Sequence, residues 1–316
     1  MSLEERRQWA LARLKSFARA DEPLAPHTTY KLGGPAAVFA VPRSMADLVL
    51  VGDVVRDTGL PVLAVGRGSN LLVADGGFEG IAVSLSALGE RTFIDGVRVV
   101  ADGSVALPVL ARRTAAAGLT GFEWAVGVPG SIGGAVRMNA GGHGSDMTAS
   151  VVDVHLFDVH RGCDAWVPAE QLGLRFRGSD LADHQIVLEA TIELVRGDVT
   201  DAEAMIAEIV RWRREHQPGG QNAGSVFVNP VPGELAAAQL IDQQGLRGFT
   251  IGGAFVSEKH ANFIQAGEGA TAADVRAVME HVRAVVFELT GFLLRSEVRL
   301  VGFTDIEPDH REGVLL

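Results

Sequence analysis

The sequence predicts an α+β chain of two or three domains, and three observations lead there. At 316 residues it is long for a single domain. Its first 80 residues read as a small β-α-β unit, and the stretch after them is richer in strands. Its last hundred residues carry two well-delimited helices and a closing strand. Boundaries are expected near 80 and 215, giving segments 1–80, 81–215 and 216–300, with 301–316 returning to the first.

Residues 3–19 set Leu3, Trp9, Leu11, Leu14 and Phe17 at helical spacing among charges, which predicts an N-terminal helix. Ala36–Val41 reads as a strand. Ser44 opens a helix with Asp47 in the capping-box position, and Gly59 closes it. Pro61–Val65 is a buried strand. Thr92–Val100 holds Asp95-Gly96 between β-prone residues, a hairpin signal, and Asp102-Gly103 marks a second turn. Leu107–Ala117 is Ala-rich and helical as far as Gly118. Val151–Val159 and Gln185–Val195 read as long strands. Thr200–His216 puts Met205, Ile206, Ile209 and Val210 on one helical face, with Pro218 beyond its end. Leu235–Gln244 is a helix stopped by Gly245. Thr271–Leu289 is amphipathic, capped by Thr271 and closed before Gly291; Val298–Gly302 is the last strand.

Hydrophobic residues make up 47% of the chain, enough for a sizeable core. A net charge of −11 argues against general binding to nucleic acid or anionic membranes, but a local Arg or Lys cluster can still hold an anionic small molecule. Cys163 is the only cysteine, so no internal disulfide forms, which suits a reducing cytosol. No apolar run approaches the ~20 residues of a bilayer span, and the charged start has no apolar signal core behind it. The nine histidines show no metal-ligand spacing, so no metal is expected. No obligatory protein partner is expected either.

Two glycine-rich runs point to a phosphate-bearing cofactor. Gly66, Arg67, Gly68, Ser69 and Asn70 follow an apolar strand, and consecutive backbone N–H groups in such a turn can cradle a pyrophosphate. Leu71 stands where a dinucleotide fingerprint needs its third glycine. Taken alone, the run is equally an ordinary surface turn. The second run, Gly127 to Gly134, includes Pro129, Gly130, Ser131 and Gly133 and lies between Trp124 and Met138-Asn139. Buried loops need partners for their backbone groups, and a flat, polar-edged cofactor provides them. A glycine-rich crossover packed on a sheet is the alternative.

The reactive candidates are fewer. Ser225, after Gly224 and before Val-Phe-Val, lacks a nucleophile elbow and suits proton donation. Arg177, before Gly178-Ser179, suits a carboxylate held by a guanidinium fork. Glu297 precedes an apolar strand, where a carboxyl group with a raised pKa can serve acid–base chemistry. Lys259, His260 and Asn262 stand between two apolar strands, as a binding rim would. Each alone is also readable as a turn, a surface charge or a strand end.

Together the motifs carry a resemblance. Thr28-Thr-Tyr-Lys-Leu-Gly-Gly-Pro35, Gly66-Arg-Gly-Ser-Asn, Gly127-Val-Pro-Gly-Ser-Ile-Gly-Gly134, Met138-Asn-Ala-Gly, Phe176-Arg-Gly-Ser, Gly224-Ser-Val-Phe-Val-Asn-Pro230, Ser257-Glu-Lys-His-Ala-Asn-Phe263 and Ser296-Glu-Val occur in order over nearly the whole chain. This series resembles the UDP-N-acetylenolpyruvoylglucosamine reductase family. The resemblance implies a FAD-binding fold of the vanillyl-alcohol-oxidase (PCMH) type in two subdomains, plus a C-terminal α/β substrate-binding domain. It implies non-covalent FAD, NADPH as co-substrate, and a cytoplasmic step of peptidoglycan precursor synthesis yielding UDP-N-acetylmuramate. Ser225 matches the proton donor to substrate C2, and Arg177 and Glu297 match the pair stabilising the enolate. Asn139 and Val187 complete the expected cofactor set; Asn229 and Arg214 join Lys259, His260 and Asn262 in the expected substrate set.

Two departures stand out. Val228 replaces the motif lysine, which leaves Arg211, Arg213, Arg214, Arg247 and Lys259 as candidates for the missing diphosphate cation. Phe176 replaces the usual tyrosine. The short spacing from Arg177 to Ser225 matches the branch without a substrate-covering loop. The competing readings are another FAD oxidoreductase of this fold acting on a sugar or alcohol, and a non-catalytic UDP-sugar-binding relative.

Overall fold

The computed structural model describes residues Met1–Thr304. The chain divides into two units. The first comprises residues 1–22, 36–67 and 79–213; the second comprises 23–35, 68–78 and everything described from Arg214 onward.

The first unit holds two large sheets besides two short two-stranded ladders. The four-stranded one runs in the order Ala18–Pro23, Pro35–Ala40, Phe78–Ser84, Val62–Val65. Its last two strands are parallel, with Val62 opposite Ile81 and Val65 opposite Ser84, and the chain reaches Val62–Val65 from Pro35–Ala40 through a helix. That helix is Met45–Thr58. Ser44 accepts from the Asp47 N–H, and Gly59 ends it in the left-handed region at φ 64°. Its buried Leu48, Val51, Val54 and Val55 pack with Ala10 and Leu14 of the helix Leu3–Leu14 and with Val38, Ala40, Ile81 and Val83 of the sheet.

The N-terminal helix stops at Leu14, five residues short of the expected end, and Ala18–Pro23 becomes a strand. Most of that strand is exposed, so its sequence lacks the alternation that marks a half-buried strand.

The second sheet is antiparallel, in the order Cys163–Pro168, Val151–Asp158, Gln185–Glu193, Arg98–Asp102, Thr92–Asp95. The Asp95-Gly96 hairpin forms as expected, with Asp95 opposite Arg98. Gln185–Glu193 is buried on both faces: Ile186 and Leu188 face one core, Val187, Ala190 and Ile192 the other. The switch from odd to even positions has a cause. Glu189 pairs with His155 but Val187 pairs with Leu156, so Leu188 is an extra, bulged residue. The helices Leu107–Ala116, Ile132–Met138 and Val199–His216 cover this sheet.

The second unit packs the helices Ala237–Gln243 and Ala272–Thr290 with a three-stranded antiparallel sheet, Thr250–Ile251, Ala254–Val256 and Ile264–Ala266. Leu71–Val73 pairs in parallel with Arg299–Val301. Thr271 and Asp274 form a complete capping box on the long helix, and the Asp75 carboxylate accepts from the Ala272 and Ala273 N–H groups at 2.9 and 3.0 Å. Tyr30 is fully buried in this core and donates to the Ile264 carbonyl at 3.1 Å; burial pushes its phenol well above the ordinary range. Of the expected closing segment, residues 305–316 lie outside the described residues.

Candidate functional site

The first unit contains a cleft of about 800 Å³, counting its opening to solvent. Its walls come from the ends of Val62–Val65 and Phe78–Ser84, the Gly103-Ser104 turn, the start of Ile132–Met138 and the bulged strand. Six expected cofactor residues line it together: Gly66, Arg67, Ser131, Gly133, Gly134 and Val187.

Local geometry explains the lining. The bulge at Leu188 leaves a carbonyl that accepts from the Gly103 N–H at 2.6 Å, and the Gly103 carbonyl accepts from the Gly133 N–H at 2.8 Å. The approach is so close that a Cβ at Gly103 would collide with the Val187 carbonyl oxygen. A Cβ at Gly66 would stand 2.7 Å from the Ser131 hydroxyl oxygen. Bare backbone, the hydroxyls of Ser84, Ser86 and Ser104, and the guanidinium groups of Arg67 and Arg137 thus share walls with Val83, Leu85 and Ile186. A flat ring system bearing phosphates matches that mixture of apolar wall, hydroxyl donor and cation.

Sequence reasoning missed Ser84, Ser86, Gly103, Ser104, Arg137 and Gln185 as lining residues. Asp102-Gly103 was legible as a turn; its second role was not. The helix Ile132–Met138 inside the second glycine run was missed as well, because Gly133 and Gly134 disfavour a helical reading.

The other expected cofactor residues lie elsewhere. Gly68, Ser69 and Asn70 belong to the second unit, where Asn70 donates to the Glu297 carbonyl at 2.8 Å. Gly130 accepts from the Leu107 N–H at 3.0 Å, and neither it nor Pro129 lines the cleft. Gly127 abuts Arg213: a Cβ there would lie 3.0 Å from its Cδ and 3.6 Å from its Nη1. Asn139 is buried, and its amide is spent on protein. It donates to Asp146 Oδ2 and to the Arg175 carbonyl, both at 3.1 Å, and accepts from the Thr148 N–H and hydroxyl, both at 3.0 Å.

Arg177 sits in a tight turn of the first unit. Arg175 and Gly178 exchange backbone hydrogen bonds at 2.9 and 3.0 Å, and Arg177 takes φ 58°. That left-handed geometry costs a side-chain-bearing residue roughly 1–2 kcal/mol. Its guanidinium donates to the Gly141 carbonyl at 2.9 Å and lies 5.0 Å from the Phe176 ring centroid. Phe176 thus supplies an aromatic face to the arginine that follows it.

Ser225 and Glu297 belong to the second unit. The Glu297 N–H donates to the Val226 carbonyl at 2.7 Å, and Phe227 bridges Ser296. On its other edge the Ser225 segment is held by Asn262. The Val226 N–H donates to the Asn262 carbonyl at 2.8 Å, the Phe227 N–H to Asn262 Oδ1 at 2.9 Å, and Asn262 Nδ2 to the Phe227 carbonyl at 2.8 Å. Asn262 therefore props the segment that follows Ser225. Asn229 accepts from the Ala237 N–H at 3.1 Å and so caps a helix. His260 is half-buried; burial, then the nearby Arg247, lower its pKa, which favours the neutral ring.

The structure also sorts the five candidate cations. Arg247 is forked onto Asp242 at 2.5 and 3.1 Å and donates to the Glu258 carbonyl. Lys259 donates to the Arg214 carbonyl at 2.6 Å. Arg211 and Arg214 are exposed. Arg213 is half-buried, and desolvation alone lowers its pKa. Among the described residues no carboxylate pairs with it. Val228 is buried.

Residues 35–162 match the FAD-binding domain, and residues 216–301 match the UDP-N-acetylenolpyruvoylglucosamine reductase C-terminal domain. The UDP-N-acetylenolpyruvoylglucosamine reductase of Heliobacterium modesticaldum is 46% identical over 89% of this chain and 90% of its own. The chain belongs to the UDP-N-acetylenolpyruvoylglucosamine reductase family. The Anoxybacillus flavithermus reductase is 40% identical over 95% of this chain and 99% of its own. The crystal structure of the Thermus caldophilus reductase superposes with a TM-score of 0.77 at 30% identity, covering 90% of this chain and 98% of that one. The fold is thus the α+β, PCMH-type FAD-binding arrangement with the family's C-terminal domain. Most of the cleft, from Ala64 to Arg137, falls inside the matched FAD-binding span. Among the described residues no helix is long and apolar enough to cross a membrane, and no group of three or more His, Cys, Asp or Glu side chains is placed to hold a metal ion.

Proposed function

We propose that this chain reduces UDP-N-acetylglucosamine enolpyruvate to UDP-N-acetylmuramate, with FAD as cofactor and NADPH as reductant, in the cytoplasm. One observation carries the reading: relatives named UDP-N-acetylenolpyruvoylglucosamine reductase match at 38–46% identity over about nine-tenths of this chain. FAD, when bound, supplies the two-electron chemistry between NADPH and the substrate. The cleft residues Gly66, Arg67, Ser131, Gly133, Gly134 and Val187 are its proposed holders.

Reduction places a hydride on substrate C3 and leaves negative charge on C2, spread into the adjoining carboxylate. Arg177 is assigned to hold that carboxylate, and Glu297, in its protonated form, to donate a hydrogen bond to it. The Ser225 hydroxyl delivers the proton to C2. A serine is a weak acid in water, but a carbanion held in line with it is a strong enough base. Asn262 keeps the Ser225 segment in place for this transfer. With Val228 in place of a lysine, Arg213 is the proposed diphosphate cation, because desolvation lowers its pKa and, among the described residues, no carboxylate pairs with it.

The test follows the flavin absorbance without oxygen. NADPH should bleach the protein, and UDP-N-acetylglucosamine enolpyruvate should restore the colour. Bleaching without recovery would reject the substrate. In Ser225→Ala, bleaching should proceed as before while recovery slows by ~10²-fold or more; equal slowing of both half-reactions would remove Ser225 as proton donor.

A further inference from the structure

Asn139 stands at a junction between two separate pieces of chain. It ends the helix Ile132–Met138 in the left-handed region at φ 40°, a conformation asparagine tolerates better than other side-chain-bearing residues. Its amide reaches two separate pieces of chain. One Nδ2 bond goes to the Arg175 carbonyl, at the base of the turn that carries Arg177. The other goes to Asp146, and Oδ1 takes both donors of Thr148. Asp146 pairs with Gly141 across a two-residue ladder, and the Gly141 carbonyl accepts from the Arg177 guanidinium. One side chain therefore fixes the backbone at the base of Arg177 and the segment that anchors its tip.

We propose that Asn139 is a positioning residue for Arg177, setting the guanidinium where the substrate carboxylate is held. This rests on the function proposed above. Arg177 itself is poorly determined by local preference, since its left-handed φ opposes the choice of arginine. Something outside the turn must hold it, and strained residues persist only where their surroundings over-determine them. Each amide hydrogen and both Oδ1 lone-pair sites of Asn139 are committed, so the residue has one geometry available to it. Asp146 needs a donor facing it, which aspartate at 139 would not provide.

A double-substitution cycle tests this. Asn139→Gly removes the amide while keeping a residue at ease at φ 40°. It should lower kcat by ~10-fold or more, leave KM for UDP-N-acetylglucosamine enolpyruvate within a factor of about 3, and leave flavin bleaching by NADPH unchanged. In an Arg177→Ala background the same substitution should change kcat by less than about 2-fold, because neighbours acting through one group are non-additive. Equal falls in both backgrounds, or an unchanged kcat, would overturn the proposal. Should Asn139→Gly fail to fold with its flavin, Thr148→Ala, at an exposed position, weakens the same hub. It should give a smaller fall with the same non-additivity, and an additive fall would overturn the proposal. If the unsubstituted enzyme fails to turn over this substrate, the proposed function fails, whatever the cycle shows.

Discussion

At the scale of the residue, the role proposed for Arg177 and its backbone preference pull apart. Its φ of 58° suits glycine, and glycine would discard the guanidinium. Arg177→Gly and Arg177→Ala lose the same contacts, but only alanine keeps the strain. Thermal unfolding should therefore find the glycine variant more stable by about 1 kcal/mol, with turnover in both reduced by ~10²-fold or more. A more stable alanine variant would show that the turn relaxes when the arginine leaves. Arg177, Ser225 and Glu297 were all legible as residues, because arginine before Gly-Ser, serine before a β-prone run and glutamate at a strand mouth are visible in a string of letters. The left-handed backbone of Arg177 and the spent amides of Asn139 and Asn262 were not. The amides meet partners distant in sequence, Phe227 for Asn262 and Arg175 for Asn139, and no local pattern announces the φ of Arg177.

Single elements account for the cleft. The bulge at Leu188 frees one carbonyl, the Gly103 turn meets it, and the start of Ile132–Met138 closes on Gly103. Gly103→Ala should cost roughly 1–3 kcal/mol by overpacking and yield protein that sheds FAD on purification. Gly96→Ala, in the hairpin turn where a Cβ meets nothing within 4 Å, should keep FAD. Equal retention of flavin in the two would dissociate the turn from cofactor binding. Capped helices and the Asp95-Gly96 hairpin were readable because their signals are local, as at Ser44, Gly59, Thr271 and Gly291. A bulge has no such signal: Gln185–Glu193 reads as one apolar run whether or not a residue is extra.

On the scale of the molecule, the two units share the chain in interleaved pieces. The core of the second includes Tyr30 and Leu72, its long helix is capped by Asp75, and Arg299–Val301 pairs with Leu71–Val73. None of these contributions from residues 23–78 lies within the C-terminal span matched by the family. A fragment of residues 214–316 should therefore lack a cooperative thermal transition by circular dichroism; a sharp melt would show that the early segments are dispensable. The sequence signals for this division are weak, since it depends on pairings across more than two hundred residues. The interleaving also bears on how such proteins can be recombined. A C-terminal region exchanged between relatives as one contiguous block would arrive without its tyrosine, its capping carboxylate and its partner strand. A graft that succeeds must carry three separated stretches of sequence as a single inheritance.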